Sequence, residues 1–162
     1  MSVSYETMNP YARHLVDSLQ LTEHPEGGWY RRDWQSPTAV HCSERPLASL
    51  IYFLLAEGDA SAWHQVDADE IWFWHGPGTV TLQIAGSGEK PDESAIQEVT
   101  LGQGIAGDAA EKVDAGTDST PVGHFLVPAG VWQRTLPTTS DALVSCVVSP
   151  GFEFRGFTLA EQ

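Results

Sequence analysis

Lysine is almost missing from this chain: only Lys90 and Lys112 occur in 162 residues, and six arginines bring the bases to eight against 22 acids, a formal net charge of -14. A field of that sign repels phosphate backbones and anionic headgroups, so nucleic acid and membrane surfaces are poor partners. A saline habitat and ordinary solubility both account for such a surface. Cysteine is scarce too. Cys42 and Cys146 stand far apart in no CxxC pair, which reads as buried small residues rather than as a disulfide or a metal site. No stretch approaches the ~18 uninterrupted apolar residues of a membrane span. The opening MSVSYETMNPYARHL lacks a basic start followed by an apolar run, so no secretory signal is expected and the cytoplasm is the default location. Also missing are a Gly-rich phosphate loop, a GxSxG elbow, HExxH and paired CxxC motifs, which removes NTPases, α/β-hydrolases, zincins and zinc ribbons.

What is present is an apolar core in short pieces. Hydrophobic residues make up 41% of the chain, enough to build a core and argue against disorder, while fifteen glycines and ten prolines call for many turns. The length fits one domain over residues 1–162. A helix is expected over about 9–20, with Asn9 as N-cap, Pro10 in the first helical position, and Ala12, Leu15, Val16 and Leu19 at helical spacing. HPEGG (24–28) is expected to stop it. Strand patterns then follow over about 29–159: WYRRDW, the continuous apolar run LASLIYFLL, EIWFW before the turn HGPG, TVTLQIAG in strict period two, EVTLG, HFLVP, WQRTL, ALVSCVV and GFEFRGFTL. Eight to ten short strands behind one helix predict an all-β barrel or sandwich. The small, polar, glycine-rich stretch at about 102–123 reads as a long surface loop, with a lid as the sharper alternative.

Five motifs occur in order: HPEGGWYRR, SLIYFLL, WHQVDADEIWFW, VPAGVWQ and SPGFEF. Together they resemble the cupin-5 (DUF985) family of the cupin superfamily, from the helix to Phe154. Gly58, His64 and Glu70 also fall in register with the first half of the general cupin pattern, and Pro128 and Gly130 with the second. The resemblance implies a double-stranded β-helix, the cupin jelly-roll barrel, around a pocket for a small-molecule ligand. It further implies a homodimer, with the HPEGGWYRR strand a candidate for exchange between copies; exposed edge strands give that pairing a physical reason.

In metal cupins three histidines and one glutamate converge on an ion. Here the second histidine position is Val66 and the third is Gln133. Transition metals usually need three or more good N, O or S donors, so no cofactor is favoured. A weakly held divalent metal on His64, Glu70 and Gln133 is the alternative.

The resemblance points His64 and Glu70 into the barrel. A neutral imidazole oriented by a carboxylate has the makings of a general base, and the opposing effects of burial and carboxylate place its titration near neutral pH. The plainer account is that the two only satisfy each other, as buried polar groups must. Glu26, Tyr30 and Arg31 come from the HPEGGWYRR signature. Either Tyr30 or Arg31 lines the pocket, and Arg31 suits a carboxylate or phosphate or else lies in solvent. Trp63, Trp72, Trp74, Trp132, Phe152 and Phe154 crowd the same motifs; most belong to the core, and period two sends some into the cavity as a flat apolar wall. His24, His41, His75 and His124 read as turn or surface histidines.

Three functions follow from this reading. The first is a metal-independent enzyme, epimerase- or isomerase-like, acting on a sugar-like or oxo-acid substrate with His64 as base. The second is a non-catalytic metabolite binder or sensor, and the third a weak-metal oxygenase or lyase.

Overall fold

The computed structural model describes residues 2–104 and 120–161. Most of the expected 102–123 loop therefore lies outside the described residues. Helix α1 (Pro10–Leu19) begins as the sequence predicts, with the Asn9 side-chain oxygen accepting from the backbone N–H groups of Tyr11 and Ala12 at 3.0 and 2.9 Å. It ends earlier than HPEGG. Gln20 adopts the left-handed conformation (φ 54°), and the next N–H, that of Leu21, folds back onto Val16 O. The apolar stripe of α1 then packs Ala12 and Val16 against Leu21, Trp29, Leu54 and Ala56, on the outside of the barrel.

Among the described residues eleven short strands follow: β1 (Thr22–Glu23), β2 (Trp29–Gln35), β3 (Ser49–Leu55), β4 (His64–Val66), β5 (Asp69–Pro77), β6 (Val80–Ile84), β7 (Gln97–Leu101), β8 (His124–Val127), β9 (Gln133–Thr135), β10 (Ala142–Ser149) and β11 (Phe157–Leu159). They form two antiparallel sheets, ordered β1-β2-β3-β10-β5-β8 and β11-β4-β9-β6-β7. This is an all-β jelly roll with one N-terminal α-helix.

Period two decides what fills the barrel. In β2 and β3, Trp29 pairs with Leu54 beneath the helix, and the next pair, Tyr30 and Phe53, turns inward. The run LASLIYFLL is continuous because both faces of β3 are covered, one by the interior and one by α1. Phe53, Leu55, Trp72, Val80, Leu82, Leu101, Val127 and Val144 close one end of the interior as a dry apolar cluster. The other end is left open.

Candidate functional site: a cavity around two histidines and two glutamates

The open end is a cavity of about 610 Å³ between the two sheets. The turn between β1 and β2 enters it first. His24 N–H donates to Gly28 O and Gly27 N–H to His24 O, both at 3.0 Å, which ties 24–28 into a tight loop. Gly28 has φ +72°, and a Cβ there would lie 2.7 Å from the Phe53 ring and 3.0 Å from Leu54 O. Only glycine permits that turn to press against β3, and the turn directs His24 and Glu26 inward. His24 is therefore not the surface histidine expected: it is 8% exposed and packs edge-on against Tyr30, with ring centroids 4.5 Å apart.

β4 supplies His64, which is 1% exposed. Its Nδ1 lies 2.9 Å from Ala62 O, a group that can only accept. The neutral ring therefore carries its proton on Nδ1, leaving the Nε2 lone pair free. That lone pair faces Glu26 Oε2 at 3.4 Å, and the same oxygen lies 3.4 Å from His24 Nδ1. His24 Nδ1 in turn accepts the Glu26 backbone N–H, also at 3.4 Å. Two imidazole nitrogens thus flank one carboxyl oxygen. Burial pushes both imidazoles down to about 4. It holds Glu26 well above the usual carboxylate range, and the negative charge of Glu70 adds to that rise. Burial thus favours the neutral form of all three groups, because separated charges in this dry site carry a heavy desolvation cost.

Glu70, on β5, is placed differently. Gln133 on β9 donates from Nε2 to Glu70 Oε2 at 2.6 Å, and its own Oε1 accepts the Trp72 indole N–H at 3.0 Å. Since an indole nitrogen can only donate, the Gln133 amide has one orientation. The Cys146 thiol is the second hydrogen-bond partner of Glu70. Burial raises Glu70 to about 7, against the opposing pull of these two hydrogen bonds. The carboxyl group beside His64 is therefore that of Glu26; Glu70 is anchored to Gln133. Burial pushes His64 down to about 4 rather than leaving it near neutrality, because it penalises the imidazolium more than the contact with Ala62 O supports it.

The metal set of the general cupin pattern does not fit these residues. Val66 has no donor atom, and the Gln133 carbonyl is occupied by Trp72. His64 and Glu70 alone fall short of a transition-metal site. Among the described residues, no group of three or more histidines, cysteines and acids is arranged to hold an ion.

Of the other candidates, Tyr30, Arg31, Phe152 and Phe154 line the cavity; Arg31 lies at its exposed edge, with Nη1 donating to Leu19 O at 3.2 Å. Trp72 and Trp74 belong instead to the apolar end, and Trp63 and Trp132 pack with Ala85 in a separate cluster, so these four do not line the cavity. Sequence reasoning missed Arg32, Ser49, Ile51 and Cys146, all of which do. Period two on β2 carries the signal for Arg32, since it shares a face with Tyr30. Cys146 is buried as expected, whereas Cys42 is exposed.

A two-sheet jelly roll with a polar, aromatic-walled cavity at one end defines a small-molecule-binding cupin. The family model described as Cupin superfamily (DUF985) matches residues 13–160, and the chain belongs to that family. It is similar to the crystal structure of protein SO0799 from Shewanella oneidensis, at 32% identity and a TM-score of 0.74, over 93% of this chain and 84% of that one. It is also similar to a hypothetical protein from Leishmania major, at 27% identity and a TM-score of 0.71, over 92% and 86% of the two chains. A double-stranded β-helix protein from Klebsiella pneumoniae, at 10% identity, 90% and 94% coverage and a TM-score of 0.54, shares the fold. No curated protein matches the chain. Among the described residues no helix is long and apolar enough to cross a membrane.

Proposed function

We propose that this cupin is a metal-independent enzyme that moves a proton on a small sugar-like or 2-oxo-acid substrate, with His64 as the base. One observation carries the reading: at the cavity wall the Nδ1 contact to Ala62 O leaves the His64 Nε2 unprotonated, 3.4 Å from the Glu26 carboxyl group, which burial pushes toward its protonated form. In the proposed step a C–H bond next to the substrate carbonyl breaks, and its proton passes to His64 Nε2. The bonding pair moves into the new C=C bond of an enolate, and Glu26 supplies a proton to the carbonyl oxygen. Return of a proton to carbon, with Glu26 reprotonated from the enol, closes the cycle. An imidazole titrating near 4 is a weak base alone, and the developing enolate charge is what stabilises the imidazolium in the transition state.

Incubation in heavy water tests this, using protein that carries well under one equivalent of transition metal. Candidate keto-sugars and 2-oxo acids should take up deuterium at the carbon next to the carbonyl, and His64→Asn should slow that uptake by about 10²-fold or more, the usual contribution of a positioned base. Binding without exchange, for every compound that binds, would make the cavity a receptor rather than an active site. A full metal equivalent lost on His64→Ala would return the reading to metal chemistry.

A further inference from the structure

The chain has six arginines within a net charge of -14, and three of them, Arg31, Arg32 and Arg155, line this one cavity. Arg32 is the best anchored. Its Nη2 donates to Phe152 O at 2.8 Å and its Nη1 to Gln35 Oε1 at 3.2 Å, and its guanidinium carbon lies 5.9 Å over the Phe152 ring. These contacts hold the guanidinium at the cavity edge and leave three of its five N–H donors uncommitted. Arg31 is tethered to Leu19 O. Arg155 donates to Glu153 Oε2 from Nε at 2.6 Å and is 74% exposed. Glu153 is the acid at this edge, and it neutralises one cation of the three. Deeper in the cavity lie Glu26 and Glu70, whose carboxyl groups burial pushes toward their neutral forms.

From this placement we infer that the cavity selects a small anionic ligand, its carboxylate or phosphate held by Arg32 at the mouth with Arg31 and Arg155 flanking it, and its polar body directed toward His64 and Glu26. The inference rests on reading this cavity as the ligand site, and names the class of molecule it takes. Two features support it beyond the count of charges. A fixed, planar guanidinium matches carboxylate and phosphate oxygens, and little freedom is lost on binding. The chain as a whole is strongly acidic and repels anions, so a cationic rim around this aromatic-walled cavity works against the field of the whole chain. A volume of about 610 Å³ suits a metabolite rather than a polymer.

Calorimetric titration of the full chain at pH 7 and low salt, with glucose, gluconate and glucose 6-phosphate, tests the inference. At least one charged sugar should bind tenfold or more tightly than glucose, and the gluconate and phosphate arms separate a carboxylate site from a phosphate site. Arg32→Gln should remove that preference by about tenfold, and Arg32→Lys should retain part of it. Arg155→Gln, at an exposed position, should lower it about threefold and serves if Arg32→Gln fails to fold. Equal binding of glucose, no binding of either charged sugar, or a preference unchanged in the folded arginine variants would overturn the inference. Proton exchange on any substrate is read separately: its absence leaves an anion preference standing, and loss of the preference leaves exchange standing.

Discussion

The same strands build both ends of the barrel and fill them in opposite ways. On β5 the inward positions run from Glu70 to Trp72, and on β10 from Val148 and Cys146 to Val144 and Ala142. Toward one end the residues are apolar and close-packed. Toward the other, two strand steps away, they are carboxyl, thiol and imidazole around open space. The dry end gives the barrel its stability, and the polar end spends part of that stability holding titratable groups out of water. Trp72 joins the two, since its ring belongs to the apolar cluster and its indole N–H orients Gln133, which in turn holds Glu70.

Removing that junction should have the largest effect. Trp72→Ala leaves a large cavity and an unpaired Gln133 carbonyl, and should cost about 3–5 kcal/mol in denaturant unfolding. Trp72→Phe keeps most of the packing and isolates the lost hydrogen bond, for about 1–3 kcal/mol. A cost below about 1 kcal/mol for the alanine variant would show that the two ends are independent.

Glu70→Gln probes the polar end through pH. A carboxyl group raised from 4.5 to about 7 on folding binds its proton more tightly in the native state. Stability therefore falls as pH rises from about 4.5 to 7, and is level above that. The variant lacks this loss, so its stability relative to the parent should climb across that window by about 3 kcal/mol, at 1.36 kcal/mol for each pH unit. Parallel unfolding curves at pH 4.5, 6 and 8 would measure it, and a constant difference would refute it.

Glu26→Gln should have the smallest effect on folding. The acid is already neutral, so an amide of the same shape should change stability at pH 7 by under about 1 kcal/mol, within the range of a conservative swap. Deuterium exchange should nevertheless fall, because an amide cannot deliver the proton. A loss of several kcal/mol instead would mean that Glu26 is ionised and paired with an imidazolium.

Much of this was legible in the residues. The Asn9–Pro10 start of α1, the doubly covered run on β3 and the alternation on β6 are local patterns, and the structure follows them. The tryptophans were only half legible. Trp63 and Trp132 stand next to His64 and Gln133, and alternation alone sends them to the opposite face once those two point inward. Trp63 now carries Arg134 over its ring at 4.6 Å, and Trp132 donates to Gly88 O. His24 was beyond local reasoning. Its burial depends on the glycine turn pressing against Phe53 and on ring contacts with Phe154 and Phe157, about 130 residues away. The same distance hid which carboxyl group stands beside His64, since spacing places Glu70 near it in sequence while the fold brings Glu26 to it in space.

The walls of the cavity come from opposite ends of the described chain: His24 and Glu26 near the beginning, Phe152 and Phe154 after every strand but β11, and β11 itself paired to the strand that carries His64. A chain that folds as it leaves the ribosome, first part first, can lay down its helix, its apolar end and most of both sheets before any ligand has a place to rest. The pocket is thus completed only after most of both sheets is in place, and a small molecule finds its full set of contacts only once β11 has docked on the strand that carries His64.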